Sequence, residues 1–178
     1  MNIEDGTRIV QIISEKEIRV RVRQLAGRIS RDYRGKEPVL LCVLTGAWIF
    51  AADLARFLAV PAVFEFVWPS SYGSDTKTSG KVKIGTDGKT CFKNKDVIII
   101  EDILDTGLTL SAVKEKVENS GARSIKMCCL LSKKVKRRRE ISLDYKGFEI
   151  ENKFVVGYGL DYAGRYRFLP FIGYLSRE

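Results

Sequence analysis

The sequence VIIIEDILDTGLTL, at residues 97–110, joins the patterns of a buried strand, an acidic turn and a helix. Its four leading β-branched residues predict a strand that is covered on both faces, which is typical of a parallel sheet. The helix is predicted from apolar residues at helical spacing, which are Leu110, Val113 and Val117. A strand, a turn and a helix that follow one another directly indicate an α/β fold.

Three acids, Glu101, Asp102 and Asp105, occupy the carboxyl end of this predicted strand. In an open α/β sheet the ligand crevice lies at that edge. Residues 105–109 open the helix, so their backbone N–H groups and threonine hydroxyls are suited to a phosphate group. Because acids repel phosphate unless a cation intervenes, we expect a sugar phosphate whose hydroxyls face the acids, with Mg²⁺ between the carboxylates and a second phosphorylated group.

Commoner explanations of this turn are weaker. No G-x-x-x-x-G-K-S/T motif occurs, and the G-x-G pattern at residues 157–159 has Tyr162 in place of a third glycine. An ordinary helix cap by Asp105 would explain one acid, but neither the preceding acidic pair nor both threonines.

The composition restricts the function classes. The chain has 178 residues, of which 45% are hydrophobic and 30% charged, as in ordinary globular domains. No apolar run approaches the roughly 18 residues of a membrane span, and residues 1–5 do not resemble a leader, so we expect a cytoplasmic protein without a membrane partner.

Histidine is absent from the sequence, so acid–base chemistry must come from Asp, Glu, Lys or Tyr. The net charge of +9 favours an anionic ligand, and most of the basic run 133–139 is interpreted as a solvated loop.

Strand and helix patterns alternate along the rest of the chain and predict a mostly parallel central sheet flanked by helices. Ser14 and Glu17 form a capping box before an amphipathic helix. Further strands are predicted at residues 38–44, 62–68, 82–84 and 124–131, and a further helix at 49–58. From residue 143 the chain is aromatic and β-rich without a helical pattern. We therefore expect one domain over residues 1–178, with a core at about 10–142 and a small carboxyl-terminal hood formed mainly by 143–178.

The stretch 97–110 resembles the phosphoribosyl pyrophosphate-binding motif of type I phosphoribosyltransferases, a hydrophobic strand followed by two acids and Asp-Thr-Gly-x-Thr. Over residues 10–175 the chain is similar to the hypoxanthine-guanine members of that group. The resemblance implies the type I phosphoribosyltransferase fold and Mg²⁺ as cofactor. It implies transfer of a 5-phosphoribosyl group from phosphoribosyl pyrophosphate to hypoxanthine or guanine, giving IMP or GMP and pyrophosphate. It also implies a homodimer or homotetramer, and no nucleic-acid partner is expected.

The resemblance assigns roles to the first motif. The residues implied to bind the phosphoribosyl group and its 5-phosphate are Glu101, Asp102, Asp105, Thr106, Gly107, Leu108 and Thr109. Glu101 and Asp102 are also implied metal ligands, together with Asp161. Asp105 is the implied proton acceptor at N7 of the purine, and the lack of histidine strengthens that assignment.

Other motifs complete the implied site. The turn Leu44-Thr45-Gly46, with a non-proline cis peptide bond, and Arg167 correspond to the pyrophosphate site. Many relatives carry a longer polar residue at position 45, so a contact from the Thr45 side chain stays open. Ser71 and Tyr72 correspond to a mobile loop that closes over the reacting centre.

The purine site is implied by two further motifs. Lys133, in Leu-Leu-x-Lys, would donate to the purine 6-oxo group. Phe154 would stack on the base, the backbone of Val155 would contact its edge, and Asp161 would lie near both metal and base. Two alternatives keep the first motif. An RNA-binding regulator on the same scaffold would not require Lys133 or the hood, and a pyrimidine or adenine phosphoribosyltransferase fits both of them less well.

Overall fold

The computed structural model describes residues 7–70, 83–85 and 91–177. Its elements in chain order are β1 (Thr7–Ile13), α1 (Glu15–Asp32), β2 (Val39–Val43), α2 (Trp48–Phe57), β3 (Val63–Ser70), β4 (Lys83–Gly85), β5 (Asp96–Leu104), α3 (Leu108–Asn119), β6 (Ser124–Lys133), β7 (Tyr145–Ile150), β8 (Val155–Val156) and β9 (Ile172–Arg177). Within the described ranges, no helix combines the length and the apolar composition needed to cross a bilayer.

The main sheet has the strand order β4-β3-β2-β5-β6-β7. Strands β3, β2, β5, β6 and β7 run parallel, and the short β4 is antiparallel to β3. The predicted parallel α/β sheet is therefore confirmed. Its central strand is β5, whose hydrophobic run belongs there because the sheet is covered on both faces.

Two hydrophobic cores lie on opposite faces of this sheet. Ile98 and Ile100 point into the core that contains the apolar faces of α1 and α2, whereas Val97 and Ile99 point into the core beneath α3. All four side chains are fully buried, and burial of each stabilises the fold by about 1.5–3 kcal/mol. The alternation fixes the register of β5, and thereby the position of the acids at its carboxyl end.

The first helix begins at the predicted capping box. The Glu17 backbone N–H donates to Ser14 Oγ at 3.3 Å, and the Ser14 backbone N–H donates to Glu17 Oε2 at 2.8 Å. This reciprocal pair supplies partners for backbone N–H groups at the helix start.

The expected division, a core at about 10–142 and a hood formed mainly by 143–178, differs from the observed strand pairing at two points. Strand β7 is not part of the hood, because it pairs in parallel with β6 and forms an edge of the main sheet. Strand β1 does belong to the hood, where it pairs with β9 in a three-stranded antiparallel sheet of order β1-β9-β8. An alternating strand pattern does not specify a partner, and β1 and β9 are separated by most of the chain.

Candidate active site

A cavity of about 410 Å³ lies at the carboxyl ends of the parallel strands, between the main sheet and the hood. The predicted site residues that line it are Thr45, Gly46, Glu101, Asp102, Asp105, Thr106, Gly107, Thr109, Lys133, Phe154, Val155, Asp161 and Arg167. Leu108, the first residue of α3, is not in this lining, although Thr109 is. Ser71 and Tyr72 lie outside the described residues.

The acidic pair at the end of β5 is buried. Burial, and then the neighbouring Asp102 carboxylate, raise the pKa of Glu101 well above its usual value. Burial also raises the pKa of Asp102, although a hydrogen bond from the Ile103 N–H, at 2.7 Å, and the charge of Arg167 act in the opposite direction. The charged forms of both acids are therefore disfavoured until a cation or hydroxyl groups approach.

The donor set at this pair fits a hard cation such as Mg²⁺, which prefers oxygen ligands. Within the described ranges, however, no group of three or more Asp, Glu or Cys residues is arranged as a metal centre. A magnesium ion here would therefore need oxygens from a phosphorylated ligand or from water, as Mg²⁺ usually does in phosphate-transfer sites.

The turn after β2 is packed directly against these acids. The Leu44–Thr45 peptide bond is cis, as the resemblance implied. Gly46 faces the Asp102 carboxylate so closely that any side chain at position 46 would collide with it. The turn therefore needs glycine at this point, and its backbone lies beside the acidic pair.

The phosphate turn has the geometry expected of an anion site. Gly107 has φ +81°, in the left-handed region, and caps α3 without a side-chain hydrogen bond. Among the described residues, the side-chain contact at this helix start is a long one of 3.5 Å, from the Leu108 N–H to Thr106 Oγ1. The helix start thus presents backbone donors and a positive dipole end to the cavity.

An ion pair joins the purine motif to the phosphate motif. Lys133 Nζ lies 2.8 Å from Asp105 Oδ2. The Lys133 side chain is 11% exposed, whereas Asp105 is 45% exposed at the cavity. The two residues come from neighbouring strands, so they place one strong donor and one strong acceptor side by side.

The hood supplies an aromatic face and an arginine. Phe154 is 55% exposed and contacts Tyr162 edge to face, with 5.6 Å between ring centroids. Arg167 Nη2 lies 2.7 Å from Asp161 Oδ1, and its Nη1 donates to the Gly159 carbonyl at 2.6 Å. The other Asp161 oxygen accepts from the Gly164 N–H at 2.7 Å. Both oxygens of Asp161 therefore already have partners within the hood.

Seven of the described lining residues were not among the predicted site residues, and five of them are apolar residues within or beside the predicted motifs: Val43, Leu44, Ile103, Leu104 and Leu110. The other two are Pro69 and Leu160. Pro69 lies near the carboxyl end of β3, which pairs with β2, and Leu160 lies in the hood beside Asp161. Pro69 was discoverable in principle, because every parallel strand of the sheet delivers its carboxyl end to the same edge. Leu160 carries no chemical signal, since an apolar residue in an apolar segment indicates packing first.

Comparison with known proteins identifies the family. The model of the phosphoribosyl transferase domain family matches residues 10–163. The parallel sheet with acids at a strand end and a glycine turn at a helix start is consistent with this family, and the chain belongs to it.

The relatives at higher identity are more specific. The hypoxanthine-guanine phosphoribosyltransferase of Bacillus subtilis is 45% identical over 93% of this chain and 92% of the relative. The bifunctional protein TilS/HprT of Listeria monocytogenes is 43% identical over 94% of this chain, but the chain spans only 26% of that relative's length. A crystal structure of a hypoxanthine-guanine phosphoribosyltransferase from Bacillus anthracis has a TM-score of 0.88 at 40% identity, covering 95% of this chain and all of the other.

Proposed function

We propose that this chain transfers a 5-phosphoribosyl group from phosphoribosyl pyrophosphate to N9 of hypoxanthine or guanine. The products are IMP or GMP and pyrophosphate, so the reaction serves purine salvage. The observation that carries the proposal is the Lys133–Asp105 pair, which lies in the same cavity as the phosphate turn.

The pair matches one edge of an oxopurine. The 6-oxo oxygen and N7 are neighbours on that edge. Lys133 donates to the 6-oxo oxygen, and Asp105 accepts the proton when N7 carries it. Adenine presents an amino donor at the same position, so Lys133 disfavours it. The exposed ring of Phe154 supports the purine by stacking, and the Val155 backbone lies at the base edge.

The other half of the cavity suits phosphoribosyl pyrophosphate. The 5-phosphate binds at the start of α3, with the hydroxyls of Thr106 and Thr109. The ribose hydroxyls face Glu101 and Asp102. Pyrophosphate lies beyond them, against the backbone of residues 45–46 and Arg167, whose planar fork of donors suits a diphosphate.

Magnesium belongs beside the same acids. Glu101 and Asp102 would hold it, and Asp161 would be a further ligand only after loosening its contacts to Arg167 and the Gly164 N–H. When bound, the ion neutralises charge on the departing diphosphate.

Protein groups handle the purine proton. As the bond between ribose C1 and the pyrophosphate oxygen breaks, N9 forms a bond to C1 and the proton on N7 passes to Asp105. Lys133 stabilises negative charge on the 6-oxo oxygen. Catalysis is therefore positional and electrostatic. Closure of the loop with Ser71 and Tyr72 would exclude water from the reactive ribosyl carbon, and it stays a prediction.

Other features remain predictions of the same proposal. They are a single domain over residues 1–178, a homodimer or homotetramer, and a cytoplasmic location. An RNA-binding regulator on this scaffold is the main competitor, because the chain is strongly basic.

A single assay separates these possibilities. Phosphoribosyl transfer is followed spectrophotometrically for hypoxanthine, guanine, xanthine, adenine and uracil, with and without Mg²⁺. We expect turnover of hypoxanthine or guanine only with Mg²⁺, and little with adenine or uracil. Absence of turnover with every oxopurine, together with salt-dependent RNA binding, would favour the regulator instead.

A further inference from the structure

We propose that Arg137 is a positioning residue that couples the purine-reading Lys133 to the phosphate turn. The inference deepens the proposed function and rests on it for the identity of the substrates. Residue 137 lies in the basic run 133–139, which the sequence suggested to be mostly a solvated loop. The contacts of the described residues give the 137–139 segment a different role.

The Arg137 side chain turns back onto the end of β6. Its Nη2 donates to Ser132 Oγ at 2.7 Å and makes a longer contact, 3.4 Å, with the Lys133 carbonyl oxygen. Ser132 is only 3% exposed. Within the described part of the chain, Arg137 Nε is buried without a hydrogen-bond partner. A guanidinium that is partly removed from water loses hydrogen bonds to water, and the contacts to Ser132 and Lys133 replace some of them. The Arg137 side chain is therefore held in place and is not a freely solvated charge.

The backbone of the same segment holds the phosphate turn. The N–H groups of Arg138 and Arg139 both donate to the Thr106 carbonyl oxygen, at 3.0 and 3.2 Å. The Arg139 carbonyl packs against Gly107, where a side chain would collide with it. Three consecutive residues therefore contact the purine-reading strand on one side and the phosphate turn on the other.

The 137–139 segment lies where the pairing between β5 and β6 ends. Leu104 and Ser132 form the last register pair between β5 and β6. Asp105 and Lys133 are the next residues. Lys133 still pairs with Ile150 of β7, but the β5–β6 register stops before Asp105, so that register does not fix the 2.8 Å distance between the two charged groups. The 137–139 segment provides the missing link, because it joins Ser132 and the Lys133 backbone to Thr106. Losing the Arg137 contacts should therefore loosen Lys133 relative to Asp105.

Steady-state kinetics test this link. We expect Arg137→Ala to raise the KM for hypoxanthine or guanine by about tenfold, with a smaller change in the KM for phosphoribosyl pyrophosphate. Arg137→Lys retains one donor and should recover part of the loss. Lys136→Ala is the matched control, because it removes the same charge from an exposed neighbouring position and should behave as wild type. Equal rises in both KM values, or Arg137→Ala matching Lys136→Ala, would overturn the inference.

A second readout does not need activity. In hydrogen exchange, Arg137→Ala should speed exchange of the Arg138 and Arg139 amides relative to Lys136→Ala, because the bonds to Thr106 open more often. Exchange rates that do not differ between the two variants would overturn the coupling, even with altered kinetics. If wild type transferred no phosphoribosyl group to an oxopurine, the proposed function would fail, and the exchange rates would still decide whether Arg137 holds the turn.

Discussion

Strand β5 carries buried acids near both ends, and the neighbouring groups shift their pKa values in opposite directions. At its amino end, Asp96 accepts hydrogen bonds from Arg123 Nε at 2.9 Å and Ser124 Oγ at 2.6 Å. The hydrogen bonding from Arg123 is the main cause that lowers the pKa of Asp96 to about 2. Near the carboxyl end, burial raises the pKa of Glu101, and its immediate neighbour is another acid.

The difference separates a structural acid from a ligand-binding acid within one strand. Asp96 finds its cation inside the protein, so its charge stabilises the fold. Among the described residues, no basic side chain pairs with Glu101, so a bound cation or sugar hydroxyl is needed to favour its charged form. Perturbed acids in a cleft are functional candidates for this reason.

The largest expected effect is at the third acid of the same strand end. Asp105→Asn should lower kcat by about 10²- to 10⁴-fold, since it removes the proposed proton acceptor. The KM for phosphoribosyl pyrophosphate should change little. Asp96→Asn is the matched control, because the same substitution lies outside the cavity. If the Asp105→Asn variant kept the kcat of wild type, Asp105 would not be the proton acceptor.

Replacing an acid of the buried pair should lower activity and raise stability. Glu101→Gln should lower kcat/KM for phosphoribosyl pyrophosphate by about 10- to 100-fold, the cost of one charged hydrogen bond. It should also stabilise the ligand-free protein, because glutamine has no charge to bury; a gain of about 1 kcal/mol corresponds to about 2–4 °C in Tm. Steady-state kinetics and thermal unfolding measure the two effects. A lower Tm would show that Glu101 is a structural acid like Asp96.

The reverse result is expected at the other end of β5. Asp96→Asn should lower the free energy of unfolding by about 1–2 kcal/mol, a value reduced because the Arg123 side chain is 60% exposed. The Tm should fall by about 2–8 °C with kcat unchanged. Thermal unfolding of wild type and variant provides the measurement. An unchanged Tm would mean that the Arg123 contact contributes nothing.

The smallest effect is the dependence of stability on pH. The pKa of Asp96 is lowered in the fold, so its contribution is present above the usual value of about 3.9 and disappears as pH falls towards about 2. The pKa of Glu101 is raised, so the folded protein retains a proton that the unfolded chain releases. Stability therefore falls as pH rises above about 4.3. Urea unfolding across this range should show stability falling at low pH and again above about pH 4.3. Asp96→Asn should reduce the fall at low pH, and Glu101→Gln should reduce the fall at higher pH.

Local patterns predicted much of this molecule. The Ile and Val run determines β5 because it suits a strand between two cores, and Ser14 with Glu17 determines the start of α1 within a single turn. The acids at the end of β5 and the helix start at 105–109 were also predicted from the local pattern. The roles of the remaining site residues were implied by the family resemblance, because Asp161 and Arg167 lie between strands, where no local pattern marks a site.

Long-range pairing was harder to predict. The partner of β1 is β9, and only the folded chain brings them together. The Lys133–Asp105 pair and the position of Arg137 also depend on how β5 and β6 end relative to each other, and a run of basic letters does not encode that geometry.

The most direct test is proton release on substrate binding. It shows whether Glu101 is protonated in the ligand-free protein and becomes ionised when the ligand binds. Calorimetry of Mg²⁺–phosphoribosyl pyrophosphate binding, in buffers of different ionisation enthalpy between about pH 5 and 8, measures the protons released. Wild type should release more than Glu101→Gln, since binding favours the charged carboxylate. Identical release by the two proteins would show that Glu101 is already ionised before the ligand binds, and would contradict the contrast between the two ends of β5.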